Sequence, residues 1–215
     1  MKRVDKVNIV AIVSGLYIAI QMLSDIMSLR ILSFAGLSID GGTIIYPLTF
    51  TIRDLIHRVC GKSVARSVVI LAAIINIFMI IMFWIVSVLP PDMTIGSQEM
   101  FGMILVPAWR IVVASITAEV IAELLDGEIY EKWESRFGET KIWGRVLSSN
   151  AISIPLDSGI FVIIAFSGTM PASVVLSIFI SNVIIKYIIG TTSLPIIYMA
   201  QNEEKNRFNL LRRWK

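Results

Sequence analysis

The chain has 215 residues, of which 56% are hydrophobic and only 16% charged, and its mean hydropathy is +0.79. Soluble domains carry about 25% charged residues, so this composition excludes a soluble protein and marks an integral membrane protein, a single transmembrane domain over 1–215. One cysteine, Cys60, and one histidine, His57, exclude an intrachain disulfide and a metal centre built from several Cys or His ligands, and the net charge of +3 lacks the interleaved aromatics of a nucleic-acid footprint.

Six apolar runs approach the roughly 20 residues that a crossing needs: about Val7–Ser28, Thr43–His57, Val64–Leu89, Pro107–Leu125, Val146–Ser167 and Ala172–Met199. The first is too long for a signal peptide, and no small-residue cleavage site follows it. It contains Ala11, Gly15 and Ala19, a ladder of small residues suited to close helix contact inside the molecule or with a second copy. Asp25, near its outer end, reads as a gate residue or a capping group. Arg30–Gly42 adds a short re-entrant or interfacial piece. The second run is the shortest and ends in TFTIRDLIHRVCGK, where Asp54 and His57 are i, i+3 neighbours flanked by Arg53 and Arg58. These are expected to be structural or gating charges, with Asp54 paired to an arginine near the cytoplasmic interface.

The fourth run places Glu119, Glu123 and Asp126 on one helix face. Asp126 reads as a solvated end residue. Two carboxylates one turn apart in lipid repel, so one is protonated or a cation sits with them; Arg110 lies at the other end of the same span. The stretch after it, EIYEKWESRFGETKIWGR, reads as a loop with a short interfacial helix holding Trp133 and Trp143 at headgroup depth. The fifth run puts Asn150, Ser153 and Asp157 on one face, with Asp157 near the midplane. Pro155 removes one helix hydrogen bond there and frees a carbonyl around Ala151, an irregularity tolerated at membrane depth where it lines a cavity or is buried in protein. The sixth run carries Asn182, Lys186 and Ser193 on a common face, interrupted by Gly190 and Pro195. A charge at the bilayer centre costs about 2.5–3.5 kcal/mol on insertion scales, so Lys186 demands a partner. Asp157 and Glu119 are candidates.

Basic residues orient the spans. Lys2, Arg3 and Lys6 precede the first run; Arg58, Lys62 and Arg66 join the second to the third. Lys132, Arg136, Lys141 and Arg145 join the fourth to the fifth, and five more occupy a basic tail, 203–215. The opposite connections hold only Arg30. By the positive-inside rule, an even number of crossings puts both termini in the cytoplasm of a plasma-membrane protein. No GxSG, GxGD, Walker or dinucleotide motif is present, so the sequence points away from an enzyme and calls for no cofactor.

The stretch YPLTFTIRDLIHRVCGKSVAR resembles the second-span signature of the queuosine precursor transporter family, also known by a vitamin-uptake-transporter-like name, through Tyr46-Pro47, Asp54, Gly61 and Ala65-Arg66. RIVVASITAEVIAELLDGEIYEKW is similar through Arg110, Ala114-Ser115 and Asp126. SSNAISIPLDSGIFVIIAFSG is similar through Asp157-Ser158, and NVIIKYIIGTTSLPIIY through Asn182, Lys186, Pro195 and Tyr198. The resemblance covers nearly the whole chain in order. It implies an all-α, six-span carrier, both termini cytoplasmic, similar in outline to the substrate-binding components of energy-coupling-factor vitamin transporters. The implied small-molecule substrates are 7-deazaguanines used in tRNA modification. A guanine-like edge offers two donors to one carboxylate. Asp157 or Glu123 suits that task, with Asn150 or Asn182 reading ring acceptors, Tyr46, Phe50 or Phe161 stacking, and Ser153 and Glu119 nearby. Two positions depart from the family: Glu123 stands where Gln is usual, and Ile154 where Gln or Asn is usual. An uptake carrier for another heterocycle or vitamin is the alternative, and a non-transporting scaffold a third. Beyond substrate and lipid, a second copy or a coupling-factor subunit is a possible partner. Proton-coupled, facilitated and ATPase-driven transport all stay open.

Overall fold

The computed structural model describes the backbone of residues 3–137 and 142–192, and the side chains of these residues apart from 3–9, 54, 57–59, 62, 123, 124, 126–137 and 142–149. It is predominantly helical: α1 Arg3–Met27, α2 Pro47–Cys60, α3 Lys62–Val88, α4 Met100–Leu105, α5 Ala108–Phe137, α6 Ile142–Phe166 and α7 Ala172–Thr192. Among the described residues four segments are long and apolar enough to cross a membrane: Val10–Met27, Ser63–Val88, Met100–Ala122 and Ala172–Thr192. They fall within or on four of the six expected runs. The fifth run has a shorter apolar helix, Asn150–Phe166. The second has α2, whose 14 residues reach about 21 Å at 1.5 Å per residue, against a hydrocarbon core of about 30 Å.

The short piece Arg30–Gly42 is built around a hairpin: Ile31–Phe34 (β1) and Leu37–Asp40 (β2) pair antiparallel, Ile31 opposite Asp40 and Phe34 opposite Leu37. Its two turn residues, Ala35 (φ 51°) and Gly36 (φ 80°), both take the positive φ that a tight primed turn requires. The hairpin packs on α7, where Ser38 N–H donates to Ser177 Oγ (2.7 Å) and Ser181 Oγ donates to Ser38 O (2.9 Å). Two serines one helical turn apart thereby satisfy a strand edge that lipid would leave unpaired. In the charged stretch after Gly127 the helix is longer than the short interfacial one expected, since α5 continues to Phe137 and α6 begins at Ile142; its side chains, Trp133 and Trp143 among them, lie outside the described residues.

After the hairpin a 3-10 turn, Gly41–Ile44, is capped by Asp40, whose Oδ1 accepts from Thr43 N–H at 3.1 Å. The turn presses against the end of α1. A Cβ on Gly42 would fall 2.1 Å from Ser28 Oγ and 2.5 Å from Ser24 O, so only glycine permits this approach.

Two apolar clusters brace the bundle. Tyr17, Ile56, Ala65, Val68, Val69 and Ala72 join α1, α2 and α3. Ile111, Ala114, Val162, Ala165, Phe166 and Ile178 join α5, α6 and α7. Ala108 and Ala114 are fully buried, and such small residues let α5 and α6 approach closely. The carbonyls at the end of α6 are closed by Arg110, which donates to Ile164 O (3.1 Å) and Ser167 O (2.9 Å); a guanidinium on terminal carbonyls also complements the helix dipole. The charge at the start of the fourth run is therefore a helix cap. Pro155 has the expected effect: the Ala151 carbonyl takes the Tyr187 hydroxyl of α7 at 3.1 Å.

The ladder of small residues on α1 faces outward. Ala11, Gly15 and Ala19 are exposed, and a Cβ at Gly15 would meet nothing within 4 Å. The inward face of α1 is instead polar, with Tyr17, Gln21, Ser24, Asp25 and Ser28 all buried, while Ile12, Leu16 and Leu23 face outward. Polar-in and apolar-out is the reverse of a soluble bundle and suits lipid surroundings.

Candidate functional site

The polar faces of α1, α5, α6 and α7 converge with the 3-10 turn on one cavity of about 320 Å³, counted as all atom-free space including its open side. It is lined by Asp157 and Phe161 of α6, Asn182 and Lys186 of α7, Asp25 of α1, and Asp40 and Thr43. Tyr46, at the entry to α2, also lines it, with Ser115 of α5.

Lys186 and Asp157 form a buried ion pair, 5% and 4% exposed. The proline two residues before Asp157 and the polar spacing of α6 turn the carboxylate inward. The ammonium also lies 5.0 Å from the centre of the Tyr46 ring and 6.0 Å from that of Phe50, within cation–π range. Those two rings meet edge to face at 5.4 Å. One oxygen of Asp157 holds the lysine; the carboxylate has further lone pairs for a ligand.

A second polar group surrounds Asp40. Its Oδ1 accepts from Ser28 Oγ at 2.8 Å as well as from Thr43 N–H. Thr43 Oγ1 lies 2.6 Å from both Asp40 Oδ2 and Asn182 Oδ1. A hydroxyl has one proton, and the carboxylate has the stronger claim to it. Asn182 then completes the set with its amide turned, Nδ2–H donating to Thr43. Asp40 is saturated in this way and shapes the turn. A third group centres on Asp25, whose Oδ2 accepts from Asn76 Nδ2 at 2.9 Å. Nearby, Glu119 Oε1 accepts from the Tyr17 hydroxyl at 2.7 Å.

Of the residues expected from sequence, Asp157, Lys186, Asn182, Tyr46 and Phe161 line the cavity, and Lys186 has the partner expected for it. Phe50 stands one ring behind Tyr46. Glu119 follows the cavity-lining Ala118 and is half-buried. Ser153 is buried one turn before Asp157 but does not line the cavity, nor does Asn150, whose Nδ2 faces Gly190 at the far end of α7. Arg53 stacks on Phe50 at 5.6 Å. Glu123, Asp54, His57, Ser193 and Pro195, and the tail 203–215, lie outside the described side chains. Sequence reasoning missed Asp40, Thr43, Ser115 and the central place of Asp25. The signal for Asp25 was present: Tyr17, Gln21, Asp25 and Ser28 recur at helical spacing inside an apolar run. So was that for Asn76, a lone amide in LAAIINIFMIIMFW. Among the described residues no group of three or more His, Cys, Asp or Glu side chains could hold a metal ion.

Residues 40–200 match the model of a protein family described as "Putative vitamin uptake transporter". The matched region includes every cavity residue of α5, α6 and α7. A curated protein of Bacillus subtilis (strain 168) named "Probable queuosine precursor transporter" is 29% identical over 176 residues, spanning 80% of this chain and 77% of that protein. No solved structure matches.

Proposed function

The chain belongs to the vitamin uptake transporter family, a family of multi-pass plasma-membrane transporters, and on that footing we propose that it imports a queuosine precursor, a 7-deazaguanine such as 7-cyano- or 7-aminomethyl-7-deazaguanine or queuine. The relative's name supports the substrate class. The observation that carries the reading is the buried Asp157–Lys186 pair beside the Tyr46 ring in a cavity lined by four helices. A planar base needs ring faces and an acceptor for its N1–H and exocyclic amine. Tyr46 and Phe161 supply the faces, Asp157 the acceptor, and Asn182 an amide edge. Lys186 neutralises Asp157 through one carboxylate oxygen and leaves the other lone pairs to accept. Glu123, one turn beyond Glu119, belongs to the same set by its helical position.

The same reading takes the chain to cross the membrane six times with both termini cytoplasmic, as in the energy-coupling-factor substrate-binding components. The hairpin, the 3-10 turn and α2 together make the second crossing, and α6 with its polar start makes the fifth. A homodimer or a coupling subunit is compatible with the exposed ladder on α1. The family's description favours a second substrate reading, a vitamin or other small heterocycle.

Binding to purified protein tests the proposal, with a panel of deazapurines, purines and vitamins read by thermal shift and equilibrium dialysis. 7-Cyano-7-deazaguanine is expected to bind, and Asp157→Asn, which keeps the shape but loses an acceptor, to weaken it by about 1–3 kcal/mol. Unchanged affinity in that variant removes Asp157 from the site, and a vitamin binding in place of every deazaguanine moves the assignment to the second reading.

A further inference from the structure

Asp25 has no part in the substrate contacts above, yet it is 2% exposed and lines the same cavity. The lining carries three carboxylates, Asp25, Asp40 and Asp157, against one ammonium, that of Lys186, and Lys186 pairs with Asp157. Asp40 is answered without a cation, because Ser28 Oγ, Thr43 N–H and Thr43 Oγ1 all donate to it. Asp25 differs from both. It receives an amide hydrogen from Asn76 Nδ2 at 2.9 Å, and among the described residues no Lys or Arg pairs with it. Ionisable side chains inside a membrane bundle ordinarily pair with one another, so Asp25 offers a place for a positive charge that its own surroundings do not supply.

The groups around Asp25 are short of donors as well. Gln21 stands one turn before it on α1 and gives its Nε2–H to Ser115 Oγ of α5 at 3.1 Å, while Gln21 Oε1 is buried with no partner. The oxygen of the Asn76 amide that serves Asp25 is likewise buried with no partner. Gln21 is 2% exposed and Asn76 1%, so bulk water does not reach these atoms. One carboxylate and two amide oxygens, all acceptors, thus cluster where α1, α3 and α5 join, and Asp25 is the member that lines the cavity. An ammonium answers both deficits at once, with one positive charge and three N–H donors.

We propose that Asp25 is the specificity-determining residue of this cavity: it takes an ammonium group carried on the substituent of the base, so that an aminomethyl-substituted 7-deazaguanine is preferred over a neutral one. The proposal rests on the reading that the cavity binds a 7-deazaguanine, with Asp157 on the ring edge and Asp25 on the arm. A primary alkyl amine is protonated at neutral pH, as that of lysine is, whereas a cyano group carries neither charge nor donor. Equilibrium dialysis on the full chain in lipid nanodiscs tests this with three bases that share one ring: 7-aminomethyl-, 7-hydroxymethyl- and 7-cyano-7-deazaguanine. The hydroxymethyl base keeps the shape of the aminomethyl one without its charge. The aminomethyl base is expected to bind about ten- to a hundredfold tighter than either neutral base, the worth of a hydrogen bond to a charged group. Asp25→Asn is expected to bring the three affinities together, whereas Asp157→Asn weakens all three and keeps their order. A hydroxymethyl base that binds wild-type protein as tightly as the aminomethyl one overturns the proposal with no variant needed, and leaves the transport reading standing. A preference that survives in Asp25→Asn does the same. Binding of all three bases that requires sodium, and is lost alike in Asp25→Asn, gives the carboxylate to an inorganic cation and also overturns the proposal. No binding of any 7-deazaguanine defeats the transport reading and the proposal with it.

Discussion

Lys186 is a charge that the bilayer would exclude, and its surroundings show how it is kept. Asp157 neutralises it and two aromatic rings face it. Such a pair adds little net stability, because both ions lose their hydration, but removing one partner strands the other at a cost of about 3–5 kcal/mol. Lys186→Met is therefore expected to lower the thermal midpoint sharply, and Asp157→Asn added to it to restore most of the loss. Additive losses in this double-mutant cycle, followed by thermal unfolding in detergent, would mean that the two charges do not depend on one another. The pair was legible in sequence from cost alone, since an intramembrane lysine needs an acid and Asp157 sits at matching depth. Asp25 was not read as central. Its residue type and spacing were visible, but its neighbours Asn76 and Ser115 lie 51 and 90 positions on in sequence, and only the packing of α3 and α5 against α1 brings them together.

At the scale of elements, two local devices carry the architecture. Gly42 lets the 3-10 turn lie on the end of α1, and Gly42→Ala is expected to cost about 1–3 kcal/mol, as overpacking generally does. Gly15→Ala, by contrast, meets open space and removes a glycine from a helix interior, which favours the helix by roughly 0.5–1 kcal/mol. Equal effects from the two would contradict the close approach at Gly42. The Ala151 carbonyl freed by Pro155 is held by Tyr187, so Tyr187→Phe should destabilise by about 1 kcal/mol, and by less in a Pro155→Ala background where the helix reclaims that carbonyl. The long apolar helices were legible from their composition, and the proline's consequence from its missing N–H. The hairpin was not: ILSFAGLSID lacks the strict alternation of a half-buried strand, because one edge is satisfied by serines of a helix far along the chain. Beyond Gly127 a loop with a short interfacial helix was expected and α5 runs on to Phe137, because dense charge at a membrane surface fits either conformation.

The whole molecule turns many Ile, Leu, Phe and Trp side chains outward and keeps, beside its two apolar clusters, a buried set of carboxylates, hydroxyls, amides and Lys186. That arrangement suits lipid around the bundle and bears on which ends of the helices lie in water. The connection between α3 and α4, residues 89–99, is exposed throughout and contains no Lys or Arg. The stretch between the apolar parts of α5 and α6 carries Lys132, Arg136, Lys141 and Arg145, a bias that retains a segment in the cytoplasm. The span Met100–Ala122 separates the two. In a Cys60→Ser background, Ser97→Cys is therefore expected to react with a membrane-impermeant maleimide added to intact cells, and Ser135→Cys only after the membrane is opened. The reverse labelling would turn the molecule over in the membrane. Labelling of both positions in intact cells would break the crossing between them, and with it the proposed six-span arrangement.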